Sequence, residues 1–428
     1  MAAARRMLNQ AHQIISLPRG KKRCQKQPGS VERYTQDRHS ISDGRMRKRL
    51  RHALNLHVLV CCVIFILYLS YQRLGYTGSS WQVNLFLDEL NGSRSSQATG
   101  GIRIVSWNLR VPFPEDASIS RTWPERRQTI ANAIFILQPD VLLLQEDFYL
   151  MNDELLHQMP ITSLNGSTIF LSSAYQRYGL FNRNGETQPS KTWPENAFTG
   201  DGVRDGEHNS IWWSSEQWEL VNKSTFWLSP KPDVAGTSFG EVTGRIVNCV
   251  VLKGMRKESQ TIRPAHHKFC STHMPSGNMT KQMLSVEVIS RSFASDEGEY
   301  SCSFIGGDFN TNPGSSIYKA MLDSGFHDVA APSMLGYNEV VSTADWYKDS
   351  KTNQIIDYLW VYNGGSPSTR IFQSKKSAFV SVPCCDLDVA ELKDFIEKQI
   401  RGKALSSIQR ERSASDHLAL VVDIHVFL

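Results

Sequence analysis

From residue 102 onward, short runs of β-branched, aromatic and leucine residues alternate with stretches whose apolar positions recur every three or four residues. The runs predict strands over 102–109, 141–145, 210–213, 218–228, 245–252, 268–273, 303–306, 355–361 and 418–426. The longer period predicts helices over 123–137, 281–293 and 316–324; in the first, Ile130, Ile134 and Leu137 share a face and Gln-Pro-Asp closes the run. Helices set between strands predict a layered α/β sandwich over residues 101–428. Residues 182–207 are polar, glycine-rich and long for a connection, which predicts a surface loop near the site.

The N-terminal part has another character. Residues 1–53 mix Lys and Arg with Pro, Gly, Gln and Ser and show no apolar period, as expected of a disordered cytosolic tail. Residues 53–71 are 19 nearly unbroken apolar positions, read as a membrane anchor spanning 54–73. At roughly 1.5 Å per helical residue such a run just crosses a hydrocarbon layer of about 30 Å. A stalk over 74–100 would join it to the domain at 101.

Charge orients that span. Residues 1–53 hold 14 Lys and Arg against three acids, whereas residues 101–428 hold 31 against 37, so the overall +5 belongs to the tail. Basic flanks stay cytosolic, which predicts a single-pass type II topology with the domain lumenal or extracellular. Four Asn-x-Ser/Thr sequons, at Asn91, Asn165, Asn222 and Asn278, all lie beyond the apolar run. Of eight cysteines, Cys249 and Cys270 fall in two strands joined by a polar link. They would face each other across a hairpin, as a disulfide or as two buried thiols. Cys384-Cys385 has no second pair and does not read as a zinc site.

Several strand ends carry chemistry. Asn108 ends the first strand, and Glu146 follows the run Val-Leu-Leu-Leu-Gln; an acid there must be paired, exposed or bound to a metal. In Gly306-Gly307-Asp308-Phe309-Asn310 the glycines are expected to turn the chain tightly, aiming Asp308 and Asn310 at a rim while Phe309 points away. Asp357 lies inside an apolar strand and needs a partner, for which His417, in Asp416-His417 before the last strand, is suited. His273 also ends a strand. His266-His267 lies in a basic link, and Trp212-Trp213 reads as core.

In this order and spacing the strings resemble the endonuclease/exonuclease/phosphatase superfamily, the deoxyribonuclease I-like fold, across essentially all of residues 101–428. Trp123-Pro-Glu-Arg-Arg, the run from Gln138 to Glu146 and the run from Phe226 to Val234 are similar to its general hydrolase branch. The resemblance implies a four-layer α/β/β/α sandwich behind a single N-terminal transmembrane helix. It implies Mg²⁺, with Mn²⁺ as a substitute, on Glu146, Asn108 and Asp416. Asp308 would then orient or deprotonate the attacking water, Asn310 hold the phosphate, His417 act on the scissile phosphate with Asp357 orienting it, and His273 serve a phosphate oxygen or the leaving group. One departure concerns the segment after Thr272-His273. Here it runs Met-Pro-Ser-Gly-Asn-Met-Thr, without the arginine common in relatives and with a sequon at Asn278, where a glycan would border the cleft.

The function expected is thus metal-dependent hydrolysis of a small or lipid-linked phosphate ester at a membrane. A domain near −6 offers no general surface for tracking long nucleic acid, so a nuclease is the disfavoured alternative. A catalytically silent membrane-anchored binding module is the other alternative, and it would be favoured by a missing site residue. All eight are present.

Overall fold

The computed structural model describes residues 101–428 except 163–166, 180–206, 236–237, 241–243, 256–265, 297–298, 331–353, 364–371, 384–387, 401–412 and 427–428. The apolar run at 53–71, the tail, the stalk, and Asn91 and Asn165 lie outside the described residues, as does all but the last residue of the polar loop at 182–207. Among the described residues no helix is long and apolar enough to cross a membrane.

In chain order the elements are β1 (Gly101–Asn108), α1 (Trp123–Leu137), β2 (Val141–Gln145), α2 (Tyr149–Asp153), β3 (Ile161–Thr162), β4 (Thr168–Ile169), β5 (Tyr175–Tyr178), β6 (Ile211–Ser214), β7 (Trp218–Trp227), β8 (Ile246–Gly254), β9 (His266–His273), α3 (Met279–Ala294), β10 (Cys302–Asp308), α4 (Ser316–Asp323), β11 (Phe326–Asp328), β12 (Asp357–Tyr362), β13 (Phe372–Val380), α5 (Val389–Ile400) and β14 (Ala419–Val426). Local chemistry sets the boundaries. Thr122 and Glu125 form a capping box at the start of α1, and Gln138, left-handed and followed by Pro139, closes it.

Two six-stranded sheets run β13-β14-β1-β2-β6-β5 and β11-β12-β10-β9-β8-β7. Alternation along the strands decides which layer each side chain meets. In β1 and β2, Ile104, Val141 and Leu143 join the core that also takes Phe269 and Phe304 from the second sheet and Val286, Ile289 and Phe293 from α3. Val105, Trp107, Leu142 and Leu144 face the other way and pack with Ile130 and Ile134 of α1 and Leu392 and Ile396 of α5. The layers are therefore helix, sheet, sheet, helix. Stacked Phe269 and Phe304 are fully buried between them, each contributing about 1.5–3 kcal/mol by leaving water.

The two adjacent glycines of β10 do not make the expected turn, because they lie within the strand. A Cβ on Gly306 would come 2.6 Å from Leu143 Cδ1 of the facing sheet, so the sheets approach there at glycine distance. A Cβ on Gly307, at φ 151°, would lie 1.8 Å from the Thr272 carbonyl oxygen of the neighbouring β9. Gly307 is required by close approach to backbone, whereas at Gly306 the neighbour that would have to give is the end of the Leu143 side chain.

β8 and β9 are antiparallel with Cys249 opposite Cys270, and the two are joined as a disulfide. A bridge closing a loop of this length should stabilise the fold by roughly 2–4 kcal/mol. Non-reducing peptide mapping of protein made in an oxidising compartment should recover the Cys249–Cys270 linked pair. Cys249→Ser should lower the midpoint of unfolding, whereas equal midpoints would show the link to be absent or inert.

Candidate active site

Strand direction gathers the chemistry. β1 and β2 are parallel, with Asn108 beside Gln145, and β9 and β10 are parallel, with His273 beside Asp308. β12 runs antiparallel to β10, so its first residue, Asp357, sits opposite Asp308. β14 runs antiparallel to β1, so Asp416 and His417, just before it, also come to the end of β1. All eight candidate residues stand at one rim. Three strands leave that rim through left-handed, non-glycine residues: Arg110 (φ 58°), Glu146 (φ 55°) and Asn310 (φ 49°). Asn310 tolerates such backbone, but for Arg110 and Glu146 it is unfavourable and persists only where surrounding bonds fix it.

The bonds are specific. Asn108 Nδ2 donates to Glu146 Oε1 at 3.0 Å and to Asp308 Oδ2 at 3.3 Å. Its Oδ1 accepts the Arg110 N–H at 2.9 Å. Asn108, expected to offer its amide oxygen to a metal, thus turns that oxygen to the backbone and uses its nitrogen to hold two carboxylates. Glu146 Oε2 accepts the Val111 N–H at 2.8 Å. Asn310 Nδ2 donates to the Met274 carbonyl at 2.9 Å and its N–H donates to Asp308 Oδ1 at 2.8 Å, tying the ends of β9 and β10 together.

Two imidazoles complete the rim. His417 Nδ1 meets Asp357 Oδ2 at 3.0 Å, leaving Nε2 at 3.8 Å from Asp308 Oδ2. His273 Nε2 stands 3.5 Å from the same oxygen, and its Nδ1 lies 2.7 Å from Glu207 Oε1. Glu207 was not singled out in the sequence. It ends the polar loop expected near the site and makes a second acid–imidazole pair. Burial disfavours the imidazolium of His417, but Asp357 first, then Asp416 and Asp308, hold its pKa well above the ordinary value. Burial, reinforced by Asp357 and Glu146, pushes Asp308 up to about 7 against the pull of His417 and the Asn310 N–H.

Two arginines also went unread. Arg110 reaches Asp416 Oδ2 with Nη1 at 2.5 Å and Asp116 Oδ1 with Nη2 at 2.8 Å. Asp116 is almost wholly buried in the short 3₁₀ helix Pro114–Ile119. Arg126 is fully buried and donates to the carbonyls of Leu109, Arg110 and Ala414, fastening the exit of β1 to the segment that carries Asp416 and His417. The sequence signal for both was a cation within or just beyond a resembling string.

The donors fit a hard cation. Ligand atoms of Glu146, Asp308 and His417 lie within 4.8 Å of one another. Asp416, expected as a ligand, stands outside that trio with one oxygen taken by Arg110, while its buried Oδ1 has no hydrogen-bond partner. An orphaned carboxylate oxygen beside converging carboxylates is what a divalent ion would relieve.

A sequence profile described as the Endonuclease/Exonuclease/phosphatase family matches residues 105–417. No curated protein matches the chain. Among solved structures the chain is similar to an endonuclease/exonuclease/phosphatase family protein from Bacteroides thetaiotaomicron, with 19% identity, a TM-score of 0.54, and coverage of 76% of this chain and 97% of that one. It is also similar to a mannosyl-6-phosphatase of the same organism, with 20% identity, a TM-score of 0.53, and coverage of 76% and 99%. A third, an endonuclease/exonuclease/phosphatase from Bacteroides vulgatus, has 17% identity, a TM-score of 0.53, and coverage of 77% and 100%.

If Asp116 holds Arg110, and Arg110 holds Asp416, Asp116→Ala should weaken divalent-ion binding roughly 10-fold or more, the scale of a residue that orients a ligand. Calorimetric titration with Mn²⁺ measures this, and unchanged affinity in a folded variant would sever the link.

Proposed function

The chain belongs to the endonuclease/exonuclease/phosphatase family, and we propose that it is a divalent-metal-dependent hydrolase of phosphoester bonds acting on a small or lipid-linked phosphate substrate. The observation that carries this reading is the convergence of Glu146, Asp308 and His417 at one rim, backed by the Asp357–His417 pair. Mg²⁺, or Mn²⁺ in its place, would be held by Glu146 and the unbonded oxygen of Asp416, beside Asp308. When bound, such an ion offsets charge on the phosphate and acidifies water.

The chain's own groups divide the remaining work. Asp308, held by the N–H of Asn310 and the amide of Asn108, orients the attacking water and takes its proton. His417, with its Nδ1 on Asp357, presents Nε2 to the scissile phosphate as a charged donor. His273, backed by Glu207, serves a second phosphate oxygen or protonates the leaving alcohol. Asn310 steadies the phosphate from the end of β10.

A lumenal or extracellular domain of a type II membrane protein is the reading that the basic tail, the apolar run and the sequons beyond it support. The Cys249–Cys270 bridge supports an oxidising compartment. The similar mannosyl-6-phosphatase structure adds sugar phosphates to the substrates to be tried.

Purified full-length protein in detergent should hydrolyse at least one of p-nitrophenyl phosphate, bis-p-nitrophenyl phosphate, sphingomyelin or a sugar phosphate with Mg²⁺ or Mn²⁺, and chelation should abolish turnover. On that substrate Asp308→Ala or His417→Ala should lose roughly 10²- to 10⁴-fold. His417→Ala and Asp357→Ala combined should lose little more than either alone, because one orients the other. Cleavage of DNA or RNA alone would favour the nuclease alternative. No hydrolysis of any of these, with ion binding retained, would favour a silent binding module.

A further inference from the structure

We propose that Asn278 carries an N-linked glycan planted on the lip of the active-site cleft, and that this glycan restricts the site to small phosphate esters. The inference rests on the lumenal placement proposed above. It adds an attachment point and a consequence for substrate size.

The position is built for both. Asn278-Met279-Thr280 is a sequon, and residues 276–280 are all exposed, with Met279 61% accessible. Gly277, at φ 69°, turns the chain outward, and a Cβ built on it would meet nothing within 4 Å. Asn278 is the N-cap of α3, its Oδ1 accepting the Lys281 N–H at 3.1 Å. The cap uses the amide oxygen and leaves Nδ2, the atom that bears a glycan, outside that bond. In the attachment reaction Nδ2 loses one proton and bonds to the anomeric carbon of an oligosaccharide diphosphate donor. The diphosphate leaves with the electron pair of the broken C–O bond.

The corner is also fixed to the catalytic rim. One turn into α3, Gln282 donates to the carbonyls of Pro275 and Asn310 at 3.0 and 2.9 Å, and Asn310 Nδ2 returns a bond to Met274, next to His273. A sugar chain rooted at Asn278 is thus about one helical turn, roughly 5.4 Å along the axis, from a side chain that touches Asn310. It would stand beside the stretch of rim that holds His273 and Asn310, where it would crowd a polymer more than a compact ester. The second described sequon is an internal control. Asn222 is exposed on β7, an edge strand, five residues before its rim end at Trp227, about 17 Å along the strand.

Full-length protein from mammalian secretory cells should be compared with Thr280→Ala and Asn278→Asp. Thr280→Ala destroys the sequon and keeps Asn278, and Asn278→Asp keeps a capping oxygen. Enzymatic deglycosylation in heavy-oxygen water, followed by peptide mass analysis, should label Asn278 in the parent protein. Both variants should bind a fluorescent, otherwise uncharged dextran probe bearing one terminal phosphate at least 10-fold more tightly than the glycosylated parent, while their affinity for inorganic phosphate stays the same. An unlabelled Asn278 beside a labelled Asn222 would overturn this inference and leave the lumenal reading standing. If none of the four sequons is labelled, the lumenal reading falls as well. A labelled Asn278 with equal probe affinity in parent and variants would overturn the size restriction.

Discussion

Four carboxylates, Glu146, Asp308, Asp357 and Asp416, are brought to one end of two stacked sheets, where three of them are buried and the fourth is largely covered. Like charges in a water-poor setting raise one another's energy, and the neighbouring groups answer that cost. Asp357 stands behind His417 and favours its imidazolium, and Arg110 is held between Asp116 and Asp416. Asn108 gives both hydrogens of its amide nitrogen to acids. What is left over is a negative excess around Glu146, Asp308 and the unbonded oxygen of Asp416, a setting that favours a divalent ion.

The rest of the fold maintains that crowding. Strand direction brings the acids to one edge, and close approach of the sheets keeps them within reach. Gly306 lets β10 come against Leu143, and Gly307 lets it come against the backbone of β9. Just below the rim Gln145 Nε2 bridges to Ser271 Oγ at 3.1 Å, and Ser271 donates to Leu144 O at 2.8 Å, a polar pin between the sheets. Behind Glu146, buried Asp147 accepts from Asn152 and Ser210, while Trp212 Nε1 donates to Asn152 at 2.8 Å. These bonds set how β2 leaves the rim, and therefore where Glu146 points.

Much of this was legible because long apolar strands and a helix with a capping box announce themselves locally. The central strands and α1 lie within two or three residues of the positions their patterns predict. Phe309 is buried against Tyr358 and Trp360, as alternation requires. Other elements gave weaker signals. β13 reads Phe-Gln-Ser-Lys-Lys-Ser-Ala-Phe-Val, polar through its centre, and is a strand because β14 supplies an open edge. β11 has three residues, and α5 shows only Leu392 and Ile396 as a buried apolar face. The glycine pair read as a turn because composition cannot separate a bend from close approach. Glu207 lies 66 residues from His273, so no local pattern joins them. The sequence placed Asn108 at the rim, but which end of its amide faces the acids depends on the Arg110 N–H, a partner visible only in three dimensions.

The carboxylate excess at this rim calls for a divalent ion. Electron paramagnetic resonance of Mn²⁺ titrated into the protein, with phosphate absent, tests it without reference to any substrate. Binding should be saturable, weakened by an order of magnitude or more by Glu146→Gln while the fold persists, and displaced by Mg²⁺. Binding that is absent, or equally strong after Glu146→Gln, would contradict it.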